Sequence, residues 1–211
     1  VIMGPEKKSR KTSKREKEIR AYHEAGHALV ALLIPEVDPL TKVSIIPRGL
    51  TGGYTLVSPE EDKHIFSRNE LRGKLSLVLG GRVAEEIIFK DITTGAQDDL
   101  SKATAIARSM VCELGMSEKL GNLTFGRKHG PVFLGRDIVE ERDYSDATAK
   151  EIDAEVSRIV KNAYSRARTL LSQNKDRLKL LAEKLLEKEV LDGEEVKNLL
   201  GLDKSKDINT R

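Results

Sequence analysis

Residues 12–34 read as one helix that begins in water and ends in a core, and this transition constrains the fold more than any other feature. Thr12 or Ser13 can cap it, residues 13–20 are mostly charged, residues 25–34 are apolar on nearly every face, and Pro35 ends it. At the changeover stands "HEAGH", which spends two of the four histidines of the chain within one helical turn. Residues i and i+4 share a helix face, so His23 and His27 can aim two imidazoles at one ion. Glu24 sits about 100° round the axis, beside the ion, where it can hold a water. Zinc with three protein ligands keeps its fourth position for water and lowers that water's pKa to about 7. The spacing H-E-x-x-H therefore points to hydrolysis at a carbonyl with Glu24 as proton acceptor, against the plainer reading of a satisfied pair of core histidines.

A third ligand must come from elsewhere. A third histidine following a glycine further along is excluded, because Val30 and Leu33 stand at those positions. His64 and His129 lie in polar, loop-like surroundings and read as solvated. The carboxylate candidates are Glu85 or Glu86 in the helical stretch 69–89, and Asp98 or Asp99 opening the next helix. In that helix Leu100, Ala103, Ile106, Ala107, Met110, Val111 and Leu114 recur with helical period up to Gly115. Asp99 falls about 60° from the centre of the apolar stripe and Asp98 about 160°. Asp99 is expected to face inward and Asp98 to face solvent. Gly80 and Gly81 break the stripe of the stretch 69–89, so Glu85 and Glu86 are not separated; one of them can fix an imidazole from behind the metal. Gly26 lets another element approach beside the site, and the glycine pair marks a second close contact.

The remainder gives a mainly α fold with a small sheet. "KVSIIPRG" (42–49) and "GGYTLV" (52–57) read as two strands joined by a turn. A glycine-rich stretch from 116 to 143 is loop with a short strand near "VFLG". From Ser145 the chain is charged and helical, and "DGEE" (192–195) reads as a capping box opening a last helix. Net charge is +3, aromatics are 4% and tryptophan is absent, so a nucleic-acid platform is not expected. The one cysteine, Cys112, lies in an apolar helical pattern and reads as a buried thiol in a reducing compartment. No apolar run reaches the roughly 20 residues a membrane helix needs. The start, "VIMGPEKKSRK", lacks the features of a signal peptide and reads as a linker cut from a longer chain.

"HEAGHALVALL", "KVSIIPRG", "LGGRVAEEIIF", "TTGAQDDLSKATAIAR", "GMSEKLG" and "VFLGRD" follow one another in an order that resembles the FtsH family of membrane-anchored, ATP-dependent zinc metalloproteases. The resemblance runs from Gly4 to about Leu200. It implies a peptidase domain C-terminal to an AAA ATPase module, with 1–11 as linker, 12–143 as zinc peptidase core, 144–202 as a C-terminal helical subregion and 203–211 as a disordered tail. It implies His23, His27 and Asp99 as ligands of one zinc per chain and Glu24 as general base. Asp98 stands where the family usually has Asn. Unfolded polypeptides are the implied substrates, bound along the strand edge of 42–57. A homohexamer is implied, with no nucleic acid, and with ATP and membrane reached only through the other modules. The implied location is the bacterial inner membrane with this domain on the cytoplasmic side. Two rival readings are an inactive zinc-bearing domain that holds a ring together and a hydrolase acting on a small amide. The first has no use for Glu24, since structural zinc closes its fourth position.

Overall fold

The computed structural model describes residues 13–47, 52–59, 63–126 and 143–202. The expected linker at 1–11, His129, the strand near "VFLG" and the tail at 203–211 lie outside these residues. Among the described residues the order is α1 (Lys14–Leu33), β1 (Leu40–Ser44), β2 (Tyr54–Val57), α2 (Arg68–Phe89), a 3-10 turn (Thr94–Ala96), α3 (Gln97–Cys112), α4 (Asp146–Gln173), α5 (Lys175–Lys188), β3 (Val190–Asp192) and α6 (Gly193–Leu200). The fold is mainly α with one small sheet, as the sequence leads one to expect.

Helix α1 begins where a capping box places it. Ser13 Oγ accepts the Glu16 N–H at 3.1 Å, and the Glu16 carboxylate accepts the Ser13 N–H at 3.1 Å. Its apolar half is enclosed by α2, α5 and the sheet, with Ala25, Ala28, Leu29 and Val30 fully buried. Each large side chain here, such as Leu29, Leu181 or Leu185, contributes about 1.5–3 kcal/mol by leaving water. A second apolar cluster joins α2, α3 and α4 through Leu75, Leu79, Met110 and Ile152. Helices α1 and α2 cross at Gly26 and Gly80: a Cβ on Gly26 would stand 2.5 Å from the Gly80 carbonyl oxygen, and one on Gly80 2.9 Å from that of Gly26. Gly26 thus serves the helix crossing. The glycine beside the histidines is Gly81.

The sheet has the order β2-β1-β3, antiparallel throughout. The third strand is not visible in the sequence. "VLD" sits inside a charged helical pattern, but Glu189 takes a left-handed conformation (φ 64°) that ends α5, and Val190–Asp192 then pairs with β1. The first residue of α6 abuts the same strand, since a Cβ on Gly193 would lie 1.8 Å from the Leu40 carbonyl oxygen.

Three expectations are corrected. Strand β1 covers 40–44 rather than starting at 42 and running to 49, and it is paired on both sides, so of the two expected strands only β2 keeps an outer edge, the other edge of the sheet among the described residues being that of β3. The helix at 193 forms without the capping box, because Asp192 belongs to β3, lies 3.3 Å from Lys42 Nζ and makes no cap hydrogen bond. Leu100 and Leu114 are not core residues; they are 36% and 50% exposed at the two ends of α3, where the stripe runs past the body it packs on.

Candidate metal centre

The first imidazole is held from behind by α2. His23 Nδ1 meets Glu85 Oε1 at 2.7 Å, and Glu85 Oε2 accepts the Thr93 backbone N–H at 3.0 Å. Glu85 is 1% exposed and so ties a histidine of α1 to the loop that leads into α3. His27 Nδ1 meets the Leu77 carbonyl oxygen at 2.7 Å. Both Nδ1 atoms face acceptors, so each carries the proton there and leaves its Nε2 lone pair facing forward.

The two Nε2 atoms lie 3.0 Å apart, and Asp99 Oδ2 lies 3.1 Å from that of His23 and 3.3 Å from that of His27. Two lone pairs and a carboxylate converging on one point require a cation or a proton between them. The spacings are close to the edge of roughly 3.3–3.4 Å of a tetrahedron with arms of about 2.0–2.1 Å, as zinc forms with nitrogen and oxygen. The space for an ion is built into α2: a Cβ on Gly81 would stand 2.5 Å from His23 Nε2 and 2.6 Å from His27 Nε2. The residues fit a zinc ion. Among the described residues His23, His27 and Asp99 form the one group of this kind.

Electrostatics follow from the same contacts. Burial works against a charged His23, but hydrogen bonds to Asp99 and Glu85 outweigh it and push its pKa up to about 10. Burial likewise opposes the Asp99 charge, yet the two histidines hold its carboxyl well below the usual range. Glu85 is also lowered, burial again being outweighed, here by His23 and Thr93. A metal entering this site displaces a proton from His23.

The other candidates stand outside the group of three. Asp98 is exposed and lines the same open groove, one residue from Asp99. Glu86 turns away from the histidines and pairs with Arg168 at 3.1 Å, so of the two glutamates only Glu85 touches an imidazole. His64 is exposed ahead of α2, and Cys112 is buried.

Glu24 is 6% exposed and points toward β2, where the Thr55 hydroxyl donates to its Oε2 at 2.8 Å. An open groove of about 660 Å³ runs past His23, Glu24, His27 and Asp99, with Gly53–Thr55 on one wall and Thr94, Gly95 and Lys102 on the other. Thr55 and Gly81 escaped the sequence reading. The glycine pair signalled close packing, but nothing in one sequence tells which element approaches, and a threonine in a strand carries no signal at all.

Comparison with known proteins points the same way as the geometry. Residues 10–199 match the description "Peptidase family M41". The chain is 54% identical over 195 residues to ATP-dependent zinc metalloprotease FtsH 1 of Thermoanaerobacter sp. (strain X514), an alignment covering 92% of this chain and 32% of that protein. It is 52% identical over 201 residues to ATP-dependent zinc metalloprotease FtsH of Bacillus subtilis (strain 168), covering 95% and 32%. It is 55% identical over 199 residues to the FtsH protein of Syntrophobacter fumaroxidans (strain DSM 10017 / MPOB), covering 93% and 31%. The chain spans about a third of the length of these curated relatives.

Proposed function

Since the chain belongs to peptidase family M41, we propose that it is a zinc-dependent endopeptidase that cleaves unfolded polypeptide in the groove beside α1. The observation that carries this reading is the convergence of His23 Nε2, His27 Nε2 and Asp99 Oδ2 next to the buried carboxylate of Glu24. His23, His27 and Asp99 hold the ion; Glu85 fixes the ring of His23 and the Leu77 carbonyl that of His27. Zinc, when bound, supplies Lewis acidity, polarising a carbonyl and lowering the pKa of water to about 7. Glu24 accepts the proton of the attacking water and returns it to the departing amine. The substrate backbone adds along the outer edge of β2, whose N–H and C=O groups bind any sequence in extended form.

In the longer protein, the names of the relatives support coupling to ATP, and the resemblance supports an AAA module, a homohexamer and an inner-membrane anchor with this domain on the cytoplasmic side. No helix of the described residues is long and apolar enough to cross a membrane. A ring-holding zinc domain would leave unexplained why a carboxylate is buried one residue from a ligand and beside an open groove.

Metal analysis of the purified chain should give about one zinc, and a chelator should stop the hydrolysis of an unstructured peptide that added zinc then restores. Folded protein that takes up no zinc on titration would sink the reading.

The ligand assignment has its own test. In one chelator titration Asp99→Asn should lose the most affinity, because a neutral amide is a poor ligand and leaves the ion's charge less compensated. Glu85→Gln should lose up to about 10- to 100-fold through a loosened imidazole. Glu86→Gln and Asp98→Asn should match the parent chain. In the parent chain, Glu86→Gln and Asp98→Asn, affinity should rise with pH up to about 10, since Asp99 and Glu85 hold the His23 proton that the metal displaces; in Asp99→Asn and Glu85→Gln, which each remove one of those partners, the rise should level off at lower pH. If Asp98→Asn, Glu85→Gln or Glu86→Gln loses more affinity than Asp99→Asn, the third ligand is misassigned.

A further inference from the structure

We propose that Thr55 is a positioning residue for Glu24, so that the strand on which substrate docks also sets the base that acts on it. The inference rests on the peptidase reading above. The Thr55 hydroxyl lies 2.8 Å from Glu24 Oε2 and 3.3 Å from the Glu24 backbone oxygen, and its single proton goes to the nearer, charged acceptor. The carboxylate that receives it is 6% exposed.

The second oxygen is treated in the opposite way. Glu24 Oε1 lies against Gly53, where a Cβ would stand 2.8 Å from it and 2.7 Å from the Ser44 carbonyl oxygen. The absent side chain keeps this position from covering Oε1. One oxygen is tied by Thr55 of β2, and the other faces the glycine that precedes the strand. A carboxylate anchored through one oxygen cannot rotate freely about its last torsion, and the other oxygen is thereby held where the proton must arrive.

This arrangement couples docking to chemistry. Thr55 stands opposite Val43 and Tyr54 opposite Ser44 on the paired side of β2, while the other side of the strand is the edge proposed for substrate. A peptide that adds to that edge orders the β2 backbone and, through the Thr55 hydroxyl, the carboxylate of Glu24. Docking in the wrong register leaves the base loose.

Two variants separate the hydroxyl from the packing. Thr55→Val keeps shape and removes the donor; Thr55→Ser keeps the donor. With zinc-loaded protein and a fluorogenic unstructured peptide, Thr55→Val should lower kcat about tenfold with KM within about twofold, and Thr55→Ser should stay within about threefold of the parent. Zinc affinity and thermal midpoint should be the same in all three. In protein labelled with 13C at glutamate Cδ, the signal absent from Glu24→Gln should move in Thr55→Val and stay in place in Thr55→Ser. The inference is overturned if Thr55→Val retains parental kcat, if Thr55→Ser falls as far as Thr55→Val, or if the Glu24 signal does not move. A parent chain that binds zinc but cleaves nothing defeats the peptidase reading instead, and the Cδ signal still decides the contact.

Discussion

Glu24→Gln is expected to lower peptide hydrolysis by about 10²–10⁴-fold while the protein keeps its fold and its one zinc. The substitution is nearly isosteric, and the side-chain oxygen of the amide can still accept the Thr55 hydroxyl now 2.8 Å from Oε2. It removes only the capacity to take a proton. None of the three ligand atoms belongs to Glu24, so metal content should not change. Circular dichroism, metal analysis and hydrolysis rates on the same sample decide the matter. Hydrolysis above about a tenth of the parental rate in zinc-loaded Glu24→Gln would remove Glu24 from the reaction.

Gly81→Ala is expected to abolish the metal site without unfolding the helix that carries it. A methyl group at this position would stand 2.5 Å from both Cε1 and Nε2 of His23 and 2.6 Å from Nε2 of His27, well inside contact distance. Neither ring can step aside cheaply. His23 is held by Glu85 and His27 by the Leu77 carbonyl, each at 2.7 Å. The backbone of α2 cannot retreat from α1 either, because α2 is packed against α3 and α4 through Leu75, Leu79, Met110 and Ile152. Alanine also has a higher helix propensity than glycine, so α2 itself gains slightly. The expected signature is a fall in zinc affinity larger than the roughly 100-fold limit for a partner behind a ligand, at near-parental helix content. Zinc binding within about threefold of the parent would mean that the histidines do not converge over α2 as described.

The parts of this site that could be read from the sequence are those fixed by a single helix. The two histidines and Glu24 follow from spacing alone, and Asp99 was separable from Asp98 because α3 is regular enough for an angle to have meaning. The same test fails on α2. That helix is buried on several sides, with Leu75, Leu79, Val83, Ala84 and Ile87 spread around it, so no single stripe tells Glu85 from Glu86. What distinguishes them is Arg168, which draws Glu86 outward from another helix. Strand β3 was hidden for a related reason. Local pattern favours helix through Val190, and only the left-handed turn at Glu189 with pairing to β1 overrides it. Thr55 and Gly81 act entirely through neighbours distant in sequence.

The sheet beside the groove is assembled from opposite ends of the described chain, with Val43 opposite Leu191 and Ser44 opposite Val190. A ribosome delivers the zinc-site residues of α1, α2 and α3 long before it delivers the strand that braces β1. Closing so long a loop must precede any gain from the pairing, so this part of the fold forms late. A nascent chain of this protein therefore carries both histidines, the aspartate and the glutamate before it has a finished wall against which a polypeptide could be stretched. For the proposed cleavage of unfolded polypeptide this has a consequence: the residues that would act on a chain are made before the strand that completes the sheet beside the proposed docking edge.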